Sequence, residues 1–204
     1  MRGLLRFVLV LFAFLALAPA QAQQAAKSFV RDDLASDVVG LEEALKKEHR
    51  ALLSQGRSAD QLRAEAQAAS AARNHVSALA LYGAAAAANP KDPNLWLAYA
   101  RASIPAEKPE SWANYTLRER ATQAAYAAYQ RFTQKGDEAT ALAVMGDLFA
   151  RREAWRSALD SYRASLALVD DARLRATYAS LREKHGFRIL TYNVDSDAAS
   201  PRVC

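Results

Sequence analysis

The chain has 204 residues, only seven glycines and six prolines among them, and 51% of it is hydrophobic. With its abundant Ala and Arg, that composition reads as a mostly helical protein with room for one ordinary domain plus extras. The formal net charge of +5 is too mild for a nucleic-acid binder, because basic residues alternate with acidic ones instead of forming a stripe.

Arg2 and Arg6 precede an apolar run over residues 7–18, which leads into Ala18-Pro19-Ala20 and Ala20-Gln21-Ala22. Positive, then apolar, then small is the order of a cleavable signal peptide. The run is well short of the ~20 residues needed to span a bilayer, and no Cys follows it to take a lipid. Residues 1–22 are therefore expected to be a signal peptide cut after Ala22, giving a periplasmic address with only transient membrane targeting. Loss of the two arginines takes the formal charge from +5 to +3.

Residues 23–57 form a polar lead-in and an amphipathic helix. Asp32 or Asp33 can cap that helix, which is expected to run to about Ser54. Leu34, Val38, Leu41, Leu45 and Leu52 make a coiled-coil-like stripe, with Glu48 in the skipped position. Packing of that stripe onto the following helices is preferred to an independent coiled coil. Glu42–Lys46 and Glu43–Lys47 pair along the wet face.

Gln55-Gly56-Arg57 ends the helix, and Ser58-Ala59-Asp60-Gln61 has the form of a capping box that opens the next domain, residues 58–185. Residues 62–89 read as two helices broken near Arg73-Asn74, the second carrying Ala78, Tyr82 and Ala85 ahead of Pro90. A helix over 94–102 follows, with Trp96 and Ala100. Residues 103–115, with Pro105 and Pro109, interrupt helical continuity. The next helix, roughly 114–134, is expected to be closed by Gly136.

Residues 139–168 read as two helices folded back on each other. Leu142, Met145, Gly146 and Phe149 share one face of the first; Ala158, Tyr162 and Ser165 share one face of the second. This pattern resembles the tetratricopeptide repeat (TPR), a helix–turn–helix unit of about 34 residues. Leu142 stands in the usual Trp position, Gly146 in the small one and Phe149 in the aromatic one, while Asp170 replaces the closing Pro. Ala78, Tyr82, Ala85 and Pro90 fit the same second-helix series, 80 residues earlier by 158 minus 78. Two repeats and a 12-residue insertion fill that distance, so a middle repeat is expected with Trp96 and Ala100, and with Ala124 and Ala128 in its degenerate second half. Residues 171–184 then close the series, with Arg173, Arg175, Arg182 and Lys184 outward.

Beyond Gly186, Phe187, Ile189, Tyr192 and Val194 alternate as in a strand, and Asp195-Ser196-Asp197 follows as a turn. Residues 186–204 are read as the start of a β domain or an extended tail. The lone Cys204 points to a disulfide partner in chain beyond this sequence. The Phe-Arg strand at 187–188, the acidic turn and Pro201-Arg202-x-Cys204 resemble the opening of the first β-sandwich domain of bacterial alpha-2-macroglobulin-family proteins. That resemblance implies a place in the periplasmic protease-trapping family; its bait region and thioester are not found here.

The fold class expected is all-α: a TPR-like α-solenoid of about three hairpins with flanking helices, ending in one β-strand. Catalytic motifs are missing. His49, His75 and His185 stand apart without metal-ligand spacing, and no phosphate loop, G-x-S-x-G or H-E-x-x-H occurs. Glu65, Glu107, Glu110 and Glu119 are the acids that a helical glycan-cleaving enzyme would need, and none lies in a stretch arguing for a raised pKa. No catalytic residue, metal or cofactor is expected. The function expected is a non-catalytic interaction or spacer module, with a stand-alone adaptor as the alternative. A protein or peptide partner would meet the exposed face of each first helix, at Asn94, Tyr99, Arg101, Arg151 and Arg152.

Overall fold

The computed structural model describes residues 37–107 and 113–186, and among these the regular structure is entirely helical. In chain order the helices are α1 (Asp37–Glu48), α2 (Arg50–Leu53), α3 (Ala59–Ala71), α4 (His75–Ala88), α5 (Pro93–Ala106), α6 (Ala113–Arg131), α7 (Lys135–Arg151), α8 (Trp155–Leu168) and α9 (Ala172–His185). The expected signal peptide, the caps Asp32 and Asp33, the strand after Gly186 and Cys204 lie outside the described residues.

Local sequence sets most boundaries. The Ser58 hydroxyl accepts from Gln61 N–H at 3.2 Å, and the Gln61 side chain accepts from Ser58 N–H at 2.9 Å, completing the capping box of α3. Asn74 caps α4 by accepting from Ser77 N–H at 3.2 Å. Asp92 caps α5 ahead of Pro93, whose missing N–H is no loss at that position. Asp171 caps α9 by accepting from Leu174 N–H.

The α3–α4 and α7–α8 turns share one design. Arg73 and Glu153, 80 residues apart (153 minus 73), both take φ of 58°, the left-handed conformation that ordinarily favours Gly. Arg73 N–H bonds to Ser70 C=O and Asn74 N–H to Ala69 C=O; Glu153 and Ala154 repeat the pair on Ala150 and Phe149. Each is a Schellman closure, and the helices that follow, α4 and α8, are both 14 residues long. The 80-residue recurrence seen in side-chain pattern is thus present in the backbone.

From α3 onward each helix packs against the next, and α5 also reaches α7. The core depends on small residues that let helix axes approach: Ala84, Ala85 and Ala86 of α4 and Ala121, Ala124, Ala125, Ala127 and Ala128 of α6 are fully buried around Trp96 and Leu95. The Trp96 indole N–H donates to Pro90 C=O at 2.8 Å, tying α5 to the preceding turn. Gly146 lies directly under the Tyr162 ring. The Tyr162 hydroxyl donates to Asp147 at 2.7 Å, and the Ser165 hydroxyl donates to Ala139 C=O at 2.7 Å. At the end of the series Trp155 and His185 stack with ring centroids 3.9 Å apart, and Arg173, Arg175, Arg182 and Lys184 are exposed.

Helix α1 lies across α4 and α6. Leu41 and Leu45 of α1, and His49 just past its end, are buried, so the stripe does pack onto later helices, with His49 and not Glu48 facing inward. His49 also divides the expected single helix into α1 and α2. Glu48 turns outward and pairs with Arg120 of α6 at 2.6 Å.

Two expected breaks fall elsewhere. α5 continues past Ser103 to Ala106 and carries Pro105 within it; in a last turn a proline gives up one hydrogen bond where carbonyls are already running out of partners. Gly136 does not close α6 but is the second residue of α7. Asp137 and Glu138 follow it in the first turn, where the helix dipole favours acids.

Candidate functional site

Among the described residues, α5, α7 and α9 line a groove of about 490 Å³. Its apolar part comes from Ile104, Ala143, Val144, Val169 and Leu174; its polar part includes Arg101, Thr140, Asp147, Asp171, Arg173 and Thr177. Most of the lining comes from α5, α7 and α9, and Ser165 adds one position from α8. On α7, Leu142, Met145, Gly146 and Phe149 are buried while Thr140, Ala143 and Asp147 occupy the other face, toward the groove. Val169 is one of three large apolar side chains exposed among the described residues.

The four charged groups of the groove differ in what they already hold. Asp147 accepts from the Tyr162 hydroxyl, and Asp171 accepts from Leu174 N–H at 2.9 Å. The guanidinium groups of Arg101 and Arg173 make no hydrogen bond or ion pair among the described residues. Burial first, then the hydrogen bond to the Asp147 carboxylate and its charge, push the Tyr162 phenol far above its ordinary range, so it stays a donor.

Of the five residues expected at a binding face, only Arg101 lines this groove. Asn94 is exposed in the first turn of α5, where its side chain bonds to Asp92 at 3.1 Å. Tyr99 is buried, 3% exposed, facing Gly83 and His49, so it is a core residue; α5 is enclosed by α4, α6 and α7, and little of its circumference is left to face outward. Burial pushes its phenol up to about 12. Arg151 pairs with Glu107 at 3.2 Å, and Arg152 lies over the Tyr115 ring at 5.6 Å. Thr140, Asp147, Arg173 and Thr177 were missed; the spacing of Thr140, Ala143 and Asp147, opposite the buried face of α7, could have found three wall positions.

Comparison with known protein families found no model that matches this chain, and comparison with curated proteins found no match. The site therefore stands on its own geometry.

That geometry also describes the acids considered for catalysis. Glu107 receives two hydrogen bonds from Arg118, at 2.9 and 2.8 Å, and a third from Arg151. The Arg118 bonds are the main reason its carboxyl is held below the ordinary range, opposite to what a general acid needs. It joins the end of α5 to α6 and α7. Glu65 pairs with Arg57, Glu119 lines a shallower cleft between α1 and α6, and Glu110 lies outside the described residues. His49 is buried beside α4, and His185 is stacked on Trp155. Among the described residues no group of three or more His, Cys, Asp or Glu side chains is placed to hold a metal, and no helix is long and apolar enough to cross a membrane.

Proposed function

We propose that this chain is a non-catalytic, periplasmic protein-interaction or spacer module. Its helices form a TPR-like solenoid of about three hairpins, and the groove between α5, α7 and α9 receives an extended segment of a protein partner. The observation that carries this reading is the convergence of α5, α7 and α9 on one groove lined by both apolar and polar side chains. The turns at Arg73 and Glu153, with one hydrogen-bond pattern, support the repeat. Export rests on the sequence of residues 1–22. The resemblance of residues 187–204 to the opening of a β-sandwich domain supports a place in alpha-2-macroglobulin-family protease inhibitors.

A photo-crosslinking amino acid placed at Thr177 in the groove, and separately at Arg63 on α3, tests the reading in cells that make the protein. A discrete protein adduct from the groove position alone is the expected outcome. Equal labelling from both positions, or none from Thr177, would overturn it. N-terminal sequencing of the same purified protein checks export, since cleavage after Ala22 leaves Gln23 first.

A further inference from the structure

We infer that the groove is selective for an extended peptide segment in which a single acidic residue is flanked by apolar ones. This inference rests on the reading of the chain as an interaction module and names the chemistry of its partner. The hydrogen-bonding capacity of the groove is unevenly used. Asp147 already accepts from the Tyr162 hydroxyl at 2.7 Å and Asp171 from Leu174 N–H at 2.9 Å. The hydroxyls of Thr140 and Thr177 donate inward to their own helices, to Gly136 C=O and Arg173 C=O. Arg101 on α5 and Arg173 on α9 donate to nothing among the described residues, and both are exposed.

Asp147 and Asp171 each use one carboxylate oxygen as an acceptor, so the groups with no partner at all among the described residues are two guanidiniums, one on each flanking helix. Each presents planar donors that fit a carboxylate in two-point fashion. The same groove is lined by Ile104, Val144, Leu174 and the exposed Val169, apolar surface that suits aliphatic side chains. The number of acids in the partner is limited as well. The charged residues lining the groove are two arginines and two aspartates. A polyacidic tract would meet repulsion from these two as well as attraction from the arginines. One carboxylate bonded to Arg101 or Arg173, with apolar neighbours on the floor, meets the attraction without a second acid beside Asp147 or Asp171.

The test is selection of a phage-displayed library of random eight-residue peptides on the full 204-residue chain, repeated on Arg101→Gln, Arg173→Gln and the double variant. Both positions are exposed, and unchanged circular dichroism establishes that the variants fold. The expected result is enrichment of sequences with one Asp or Glu beside Val, Ile or Leu. A synthetic peptide from that set should bind about tenfold more tightly than its Gln or Asn counterpart, as one charge-assisted hydrogen bond provides. The double variant should lose the acidic preference and keep the apolar one. Selected peptides without acids, with acidic runs, or with an acidic preference unchanged in the double variant would overturn the inference and leave the interaction module standing. Failure to select any peptide would overturn both.

Discussion

The imidazole of His49 occupies the space that a side chain on Gly83 would need. A Cβ built on Gly83 would lie 2.5 Å from His49 Nε2 and 3.3 Å from the Tyr99 ring. One glycine in the middle of α4 thus makes the seat into which the end of α1 fits.

Gly83→Ala is expected to lower stability even though Ala is the better helix former by about 1 kcal/mol. Crowding a filled site costs about 1–3 kcal/mol, and His49 is itself buried, 8% exposed. Urea denaturation should show the loss, and the same substitution in a His49→Ala background should show most of it gone. Equal effects in both backgrounds would mean that the imidazole is not what Gly83 accommodates.

Gly146→Ala should be destabilising for the same reason, by about 1–3 kcal/mol, since the new methyl would run into the Tyr162 ring. Gly40 supplies the contrast. Nothing lies within 4 Å of its Cβ position in α1, so Gly40→Ala is expected to add up to about 1 kcal/mol. Thermal melts of the two variants should shift in opposite directions.

The two left-handed residues can be relieved. Arg73→Gly and Glu153→Gly each remove a Cβ from a conformation that costs a non-glycine residue about 1 kcal/mol. Each is expected to raise the urea midpoint, and the double variant to raise it by the sum, because the turns are separate. Destabilisation by either would show that the side chain contributes more than the strain costs.

Stability should fall on mild acidification through His49. Burial holds the imidazole below its ordinary 6.5, Glu48 opposes that shift and Arg120 adds to it; the Tyr99 ring packed on the same Gly83 site stays uncharged. Between the ordinary and the depressed value the unfolded chain binds a proton that the folded chain does not, so stability rises with pH there. The contribution is complete above 6.5 and is lost as pH falls below it. His49→Gln should flatten this limb of the urea midpoint against pH.

Glu107 acts in a lower window. Its carboxyl is depressed from 4.5, first by the Arg118 hydrogen bonds, so its stabilisation is present above that value and disappears as pH falls through the folded-state value. Glu107→Gln should cost about 1 kcal/mol near neutrality, a modest figure because both arginines reach solvent, and should remove the corresponding acid limb. An unchanged limb would assign it to other carboxylates.

Features written in short-range chemistry were legible in the sequence. The Ser58–Gln61 capping box, the break at Arg73-Asn74 and the placing of Gly146 and Tyr162 on single faces of two helices folded back on each other all depend on a few residues at fixed spacing. Tyr99 was misjudged because a helical wheel says which residues share a face, not how many faces are covered, and α5 has neighbours almost all around. The Glu107 cluster was invisible for another reason. Its partners stand 11 and 44 residues away, and nothing periodic connects them. Three wall positions of the groove were readable from α7, while the contribution of α9 required knowing that it reaches the same concavity.

Helix α1 touches both α4 and α6. Where helices pack mainly on their neighbours in sequence, fraying can start at one end and stop partway. A strap seated on two non-consecutive helices at once, held by Leu41, Leu45 and the His49 notch, makes the release of one felt by the other. Deleting it would do more than lower a midpoint: a single sharp transition should broaden into resolved steps, with the groove-bearing α7–α9 end melting apart from α3–α4.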